Sequence, residues 1–277
     1  MNGVRILING QSGNCLSTLD RGLLYGDGLF ETMTVRDGMP VLWSRHIARL
    51  HAGCARLGIT PPAADLLQAE AAGLCRDAAQ AVLKILCTRG AGGRGYCPDT
   101  ATVPTRILQL HPYPSWPADY TKQGVRVRLC RLRLGCNPPL AGIKHLNRLE
   151  QVLARAEWND RAIGEGLMQD VHGYLVEGTM SNVFLVSDGV LLTPDLSRCG
   201  VAGITRALIL ELARQKEIPT GVRDIAMEEL EQAQEVLLCN SLIGIWPVIR
   251  IAERGYRVGG ITRLLQDSLR GYLAEKQ

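Results

Sequence analysis

Lys144 lies in the run Ala141-Gly142-Ile143-Lys144-His145-Leu146, after a Gly-Ile step and before an apolar series. A lysine there is badly placed to extend its ammonium along apolar surface to water. It is well placed to project into a cavity. Desolvation lowers an amine's pKa and makes it a nucleophile, which is what Schiff-base chemistry needs. A surface lysine beside a loop is the plainer reading of the same stretch. Glu177 follows 33 residues later, at the end of a predicted strand and ahead of Gly178-Thr179. A carboxylate held there could keep a proton on a heteroaromatic nitrogen; a solvated strand-end glutamate is the alternative. Gly203-Ile204-Thr205 opens a predicted helix, whose free N–H groups and dipole favour phosphate. A simple Thr cap explains it as well. Arg49, on an earlier predicted helix, could pair with the same phosphate. An amine, an acid and a phosphate site are together what pyridoxal phosphate requires of a protein.

A second candidate site is the run from Thr88 to Tyr96, TRGAGGRGY. Its glycines let backbone approach a ligand closely, and Arg94 could grip a carboxylate through two hydrogen bonds. No G-K-[ST] follows, so it is not a nucleotide-phosphate loop. A flexible loop is the alternative.

These side chains need elements to hold them. Arg5 to Asn9, Leu29 to Val35 and Met39 to Leu42 read as strands, with Asp37-Gly38 as the hairpin turn between the last two. Ser44 is the predicted cap of a helix whose face is Ile47, Leu50, Cys54 and Leu57. A second helix is predicted over 63–79. Strands follow over 81–87 and 106–110, then a stretch with Pro112, Pro114 and Pro117. The predicted organisation is an N-terminal α/β domain over 1–114, a linker over 115–123, and a C-terminal α/β domain over 124–277 that carries Lys144. The run GVRVRLCRLRLG slips once in its alternation, at Leu129-Cys130. A bulge there would place Val125, Val127, Leu129, Cys130, Leu132 and Leu134 on one face. Arg126, Arg128, Arg131 and Arg133 would line the other. No exposed aromatics interleave with them, which argues against a nucleic-acid surface. Leu146, Leu149, Leu153 and Ala156 predict one apolar face of a helix around Lys144. Strands are predicted over 166–170, 174–177, 182–186, 190–193, 235–240 and 245–251, with helices from 203, over 224–234 and over 261–275.

Composition narrows the class. The chain has 277 residues, 46% hydrophobic and 21% charged, with a net charge of +4. That suits small anionic ligands and is too weak to indicate nucleic acid. No apolar run approaches the ~20 residues of a membrane span, and the opening MNGVRILING lacks a signal-peptide pattern. Nine cysteines without a C-x-x-C pair predict reduced thiols in a cytoplasmic protein and no metal site.

With those pieces in order, the chain resembles the fold-type IV pyridoxal-phosphate enzymes, and among them the aminodeoxychorismate lyases. The resemblance is carried by YGDGLFET, RHIARL, TRGAGGRGY, NPPLAGIKHLNRLEQVLAR, VEGTMSNVF, GITR and CNSLIGIWPV. Several are shared with branched-chain and D-amino-acid aminotransferases. His145 to Gln151 look like the lyases specifically. The resemblance implies an α/β (α+β) fold of two domains, D-amino-acid-aminotransferase-like, with pyridoxal 5'-phosphate in the cleft between them and a homodimer as the assembly. It implies that Lys144 carries the cofactor and acts as acid and base, and that Glu177 faces the pyridine nitrogen. Arg49, Ile204, Thr205 and Ser241 are implied as phosphate ligands. Arg94 and Tyr96 fall at substrate-carboxylate positions, and Thr32 at a catalytic position lining the cleft. The implied reaction converts 4-amino-4-deoxychorismate to 4-aminobenzoate and pyruvate, with an aminotransferase as the alternative.

Overall fold

The computed structural model describes residues 3–99, 102–117 and 119–275. They form two compact units: residues 3–115 with Ile143–Asn147, and Trp116–Gly142 with residues 148–275.

The first unit runs β1 (Arg5–Ile8), β2 (Gln11–Ser12), α1 (Arg21–Tyr25), β3 (Gly28–Arg36), β4 (Met39–Pro40), α2 (Trp43–Leu57), α3 (Ala64–Cys75), β5 (Gln80–Thr88) and β6 (Thr105–Pro112). Its antiparallel sheet has the order β2-β1-β6-β5-β3-β4. Alternation decides its two faces. Met33, Val35, Leu83, Ile85, Leu108 and Leu110 are buried, on the side covered by Ile47, Leu50 and Cys54 of α2. Phe30, Thr32, Lys84 and Gln109 lie on the opposite face, with Thr32 paired to Lys84 and Lys84 to Gln109. The hairpin turn forms as expected, with Asp37 and Gly38 both at positive φ. Ser44 does not cap α2. Leu42, in a left-handed conformation (φ 57°), turns the chain into the helix first, and no side chain caps it.

Residues 143–147 lie along the start of β3. Phe30 N donates to Lys144 O at 2.9 Å and Leu146 N to Gly28 O at 2.9 Å. Those backbone groups are therefore spent on strand pairing, not on a helix. The helix that follows, α5 (Leu149–Arg155), is short. Its Leu149 and Leu153 are 75% and 60% exposed, so the buried apolar face expected around Lys144 does not form.

The second unit continues with α4 (Asp119–Gln123) and β7 (Val125–Leu134) ahead of α5. After it come β8 (Ile163–Asp170), β9 (Leu175–Gly178), β10 (Asn182–Ser187), β11 (Val190–Pro194), α6 (Ile204–Gln215), β12 (Thr220–Arg223), α7 (Met227–Gln232), β13 (Glu235–Asn240), β14 (Gly244–Ile251), β15 (Arg254–Gly255) and α8 (Gly260–Glu275). The sheet order is β12-β11-β10-β13-β14-β7-β8-β9, with β15 on β14. Trp116, in the proline-rich segment, and Tyr120 of α4 set their rings edge-on to Trp246, at 5.4 and 5.1 Å. Ala118 lies outside the described residues. The acidic helix expected over 224–234 is only Met227–Gln232; it starts after Ala226, whose N–H donates to Glu229 Oε1 at 3.1 Å.

β7 has its irregularity after Leu129. Its six apolar residues, expected on one face, serve two cores. Val125, Val127 and Leu129 pack with Trp246, and Cys130, Leu132 and Leu134 pack with Trp158. Glu157 fills the break, accepting from Arg131 N at 2.8 Å and Leu132 N at 2.9 Å. The N–H groups that the bulge frees are thus satisfied, and Arg128 pairs with the same carboxylate at 3.1 Å.

Candidate active site

In the first unit, β3 and the segment beside it present an amine over a ring. Lys144 Nζ lies 4.4 Å from the centroid of Phe30. Thr32 is two residues further along β3 and shares the ring's face. On the reverse face, buried Glu31 accepts from Arg49 twice, Nε to Oε1 at 2.7 Å and Nη2 to Oε2 at 2.6 Å. His46 Nδ1 meets Oε2 of the same carboxylate at 2.6 Å. Burial opposes charge on Glu31, but His46 and Arg49 outweigh it and hold its carboxyl below the ordinary range. Burial lowers the His46 pKa against the pull of Glu31, and the positive charges of Arg49 and Lys144 add to the lowering. Arg49 is thereby locked in one orientation by a fork-to-carboxylate pair.

Arg94 and Tyr96 stand exposed in the glycine-rich loop, with Tyr96 85% exposed and its ring 5.4 Å from that of Tyr25. What fixes this loop is a pair of arginines that the motif reading passed over. Arg21 donates to Gly95 O at 2.8 Å and Tyr96 O at 2.9 Å, and it shares Asp27 with Arg89. Burial pushes the Asp27 pKa up, but the two guanidinium groups prevail and hold its carboxyl low. Asp27 sits in YGDG, which reads locally as a turn. Its partners, 6 and 62 residues away, carry no local signal.

In the second unit, Glu177 is 4% exposed and its Oε2 accepts from Val201 N at 2.8 Å. A buried carboxylate with a main-chain donor is an oriented group, unlike a solvated strand end. α6 begins at Ile204 after Gly203, and no side chain caps it, so Thr205 lies inside the first turn and is not the cap. A Cβ at Gly203 would collide with Asn182 Oδ1, the side chain whose Nδ2 holds Val201 O at 2.9 Å. Ser241 lies in a turn built by Asn240, whose Oδ1 accepts from Leu242 N at 2.8 Å and Ile243 N at 2.9 Å. Arg206 of GITR is structural, donating to Thr193 Oγ1 at 3.1 Å and Pro194 O at 2.9 Å.

A family model described as amino-transferase class IV matches residues 28–251. The chain belongs to the class IV aminotransferase family. It is 34% identical over 267 residues to aminodeoxychorismate lyase of Vibrio harveyi, covering 95% of this chain and 98% of that one. It is similar to the crystal structure of 4-amino-4-deoxychorismate lyase from Pseudomonas aeruginosa, at 52% identity and TM-score 0.93, covering 97% and 99% of the two chains. The branched-chain amino acid aminotransferase of Escherichia coli matches at 26% identity and TM-score 0.83, over 97% and 94%. The mixed α/β fold expected from the motifs is thus the fold of this family.

The donor chemistry of this class IV chain fits pyridoxal 5'-phosphate. One unit offers an amine seated on a phenyl ring and a fixed guanidinium. The other offers a buried, oriented carboxylate and a helix start that no side chain caps. Each of these groups is of a kind that this cofactor requires of a protein.

Glu165 was not foreseen. It is buried and accepts five hydrogen bonds, from Gly166 N, Thr179 N and Oγ1, Met180 N and Ser181 Oγ, at 2.5–3.2 Å. Burial pushes its carboxyl up and the donors oppose it. It anchors the loop that follows Glu177. Glu165→Gln places an amide against donors and is expected to cost about 1–3 kcal/mol of stability. A urea midpoint unchanged from wild type would contradict this.

The fold also gathers Cys136, Asp170 and Cys199, whose ligand atoms lie within 4.8 Å of one another. Arg198 stands between Asp170, at 3.5 Å, and Asp224, at 2.6 Å. Burial, with negative neighbours, pushes the Cys199 thiol up to about 12. The group is therefore held as a protonated Cys199 thiol beside an ion pair. No described helix is long and apolar enough to cross a membrane.

Proposed function

We propose that this chain is a pyridoxal-phosphate-dependent carbon–oxygen lyase that converts 4-amino-4-deoxychorismate to 4-aminobenzoate and pyruvate in folate synthesis. One observation carries the reading. Identity to two proteins described as that lyase is 52% and 34% over nearly the full chains, against 31% and 29% to two described as branched-chain aminotransferases.

When bound, the cofactor supplies a protonated ring that can hold the electron pair released at the α-carbon. The chain's own residues do the rest. Lys144 Nζ holds the cofactor at rest. Its free amine would be the base that takes the proton from the substrate carbon bearing the amine. Glu177 keeps the proton on the ring nitrogen. Arg49, Ile204, Thr205 and Ser241 hold the phosphate. Arg94 and Tyr96 take a substrate carboxylate, and Thr32 orients substrate or water. The ether C–O bond to the pyruvyl fragment then breaks, and the substrate ring becomes aromatic. The second reading is a branched-chain or D-amino-acid aminotransferase. It shares the first proton transfer and differs in where the proton returns.

The reading includes a cytoplasmic homodimer that engages neither nucleic acid nor membrane. Its support is the free state of the nine cysteines and the exposed apolar side of α5, where Leu149, Val152 and Leu153 are 59–75% exposed. The test is a product count on 4-amino-4-deoxychorismate made in situ from chorismate and glutamine. Equal 4-aminobenzoate and pyruvate are expected. A keto acid formed from an amino acid and 2-oxoglutarate, with no 4-aminobenzoate, would move the assignment to the aminotransferase.

A further inference from the structure

Phe30 has a second cation. Lys84 Nζ lies 5.2 Å from the centroid of the ring that Lys144 Nζ approaches at 4.4 Å. Lys84 is opposite Thr32 on β3 and opposite Gln109 on β6. Residues opposed across antiparallel strands share a face. Phe30, Thr32, Lys84 and Gln109 therefore form one polar and aromatic floor beside Lys144. Burial lowers the Lys84 pKa, and no carboxylate among the described residues offsets that loss. Burial also lowers His111, and the Lys84 charge adds to that effect. Four buried or half-buried arginines of this unit behave differently. Arg21 and Arg89 have Asp27, Arg49 has Glu31, and Arg106 has Glu70. A half-buried ammonium without an acid is an incomplete ion pair, held at a desolvation cost.

We propose that Lys84 binds the ring carboxylate of the substrate, so that this lysine sets the preference for an anionic ring. The inference rests on the lyase reading, in which the substrate carries a carboxylate para to its amine. The amine must reach the chemistry at Lys144. The carboxylate, fixed at the far end of the ring, needs a cation that is not Lys144 itself. Lys84 borders the same phenyl ring from another strand. The substrate's second carboxylate, on the enolpyruvyl arm, remains for the exposed loop that holds Arg94 and Tyr96.

The test uses holoenzyme and two probes, 4-aminobenzoate and its neutral analogue 4-aminobenzamide, with dissociation constants from calorimetry. Wild-type enzyme is expected to prefer the carboxylate about tenfold or more, the worth of one hydrogen bond to a charged group. Lys84→Met keeps the chain length and apolar stem, and is expected to erase the preference by weakening the carboxylate alone. Lys84→Arg is expected to restore most of it. A loss of both probes together, or a preference that survives in Lys84→Met, overturns the assignment. The lyase reading fails separately: wild-type enzyme that releases no 4-aminobenzoate from 4-amino-4-deoxychorismate sinks it whatever Lys84 does.

Discussion

Lys144→Ala is expected to lower turnover by at least about 10⁴-fold, the upper range for loss of a positioned acid-base group, with loss of the covalent link to the cofactor added. The fold should survive. The backbone of residue 144 accepts from Phe30 N, and alanine retains that bond. The side chain's contact with the Phe30 ring is a part-exposed cation–π interaction worth about 0.5–1 kcal/mol. A folded, inactive variant is thus the expected outcome, with circular dichroism matching wild type and no yellow colour after gel filtration. Small primary amines added to the assay should restore a fraction of the rate, because the missing group is an amine. A variant that kept wild-type turnover would remove Lys144 from the chemistry.

Glu31→Ala is expected to cost about 3–5 kcal/mol of stability, the usual result of deleting one partner of a buried ion pair. Glu31 is 1% exposed and holds both Arg49 and His46. Without it the two bases face each other with no acid between them. The loss should depend on pH in a set direction. The folded Glu31 carboxyl is held below the ordinary glutamate value of 4.5. Its contribution is therefore fully present above about pH 4.5 and falls away as pH drops through the lower, folded value. Urea midpoints of wild type and Glu31→Ala should differ most at neutral pH and converge in acid. A gap that stayed constant from pH 7 to pH 3 would contradict the charged Glu31–Arg49 pair. Cofactor affinity should fall as well, because Arg49 loses the carboxylate that aims it.

The fold was legible wherever the signal was local. Strand alternation in β3, the Asp37-Gly38 turn, the glycine before α6 and the strand ending at Glu177 all announce themselves within a few residues. The bulge in β7 was readable from the slip at Leu129-Cys130. Its consequence was not, because the division between two cores depends on Glu157, which arrives from beyond α5 to satisfy the freed N–H groups. The helix expected around Lys144 failed for a related reason. An apolar spacing records which residues avoid water. It does not record that β3 takes the Lys144 and Leu146 backbone groups first. Arg21, Asp27 and Arg89 were invisible because an ion pair across 62 positions leaves no periodicity. Lys84 was invisible because a lysine on an alternating strand reads as solvent-facing. Only the register that sets it opposite Thr32, on the face of Phe30, gives it meaning.

The most direct test of the account is where borohydride fixes the cofactor. Holoenzyme is reduced, digested and mapped by mass spectrometry. The account predicts a stable secondary amine joining pyridoxyl phosphate to Lys144 alone, with loss of the visible band in step. A colourless protein, or a label on Lys84 or any other lysine with Lys144 unmodified, would contradict it.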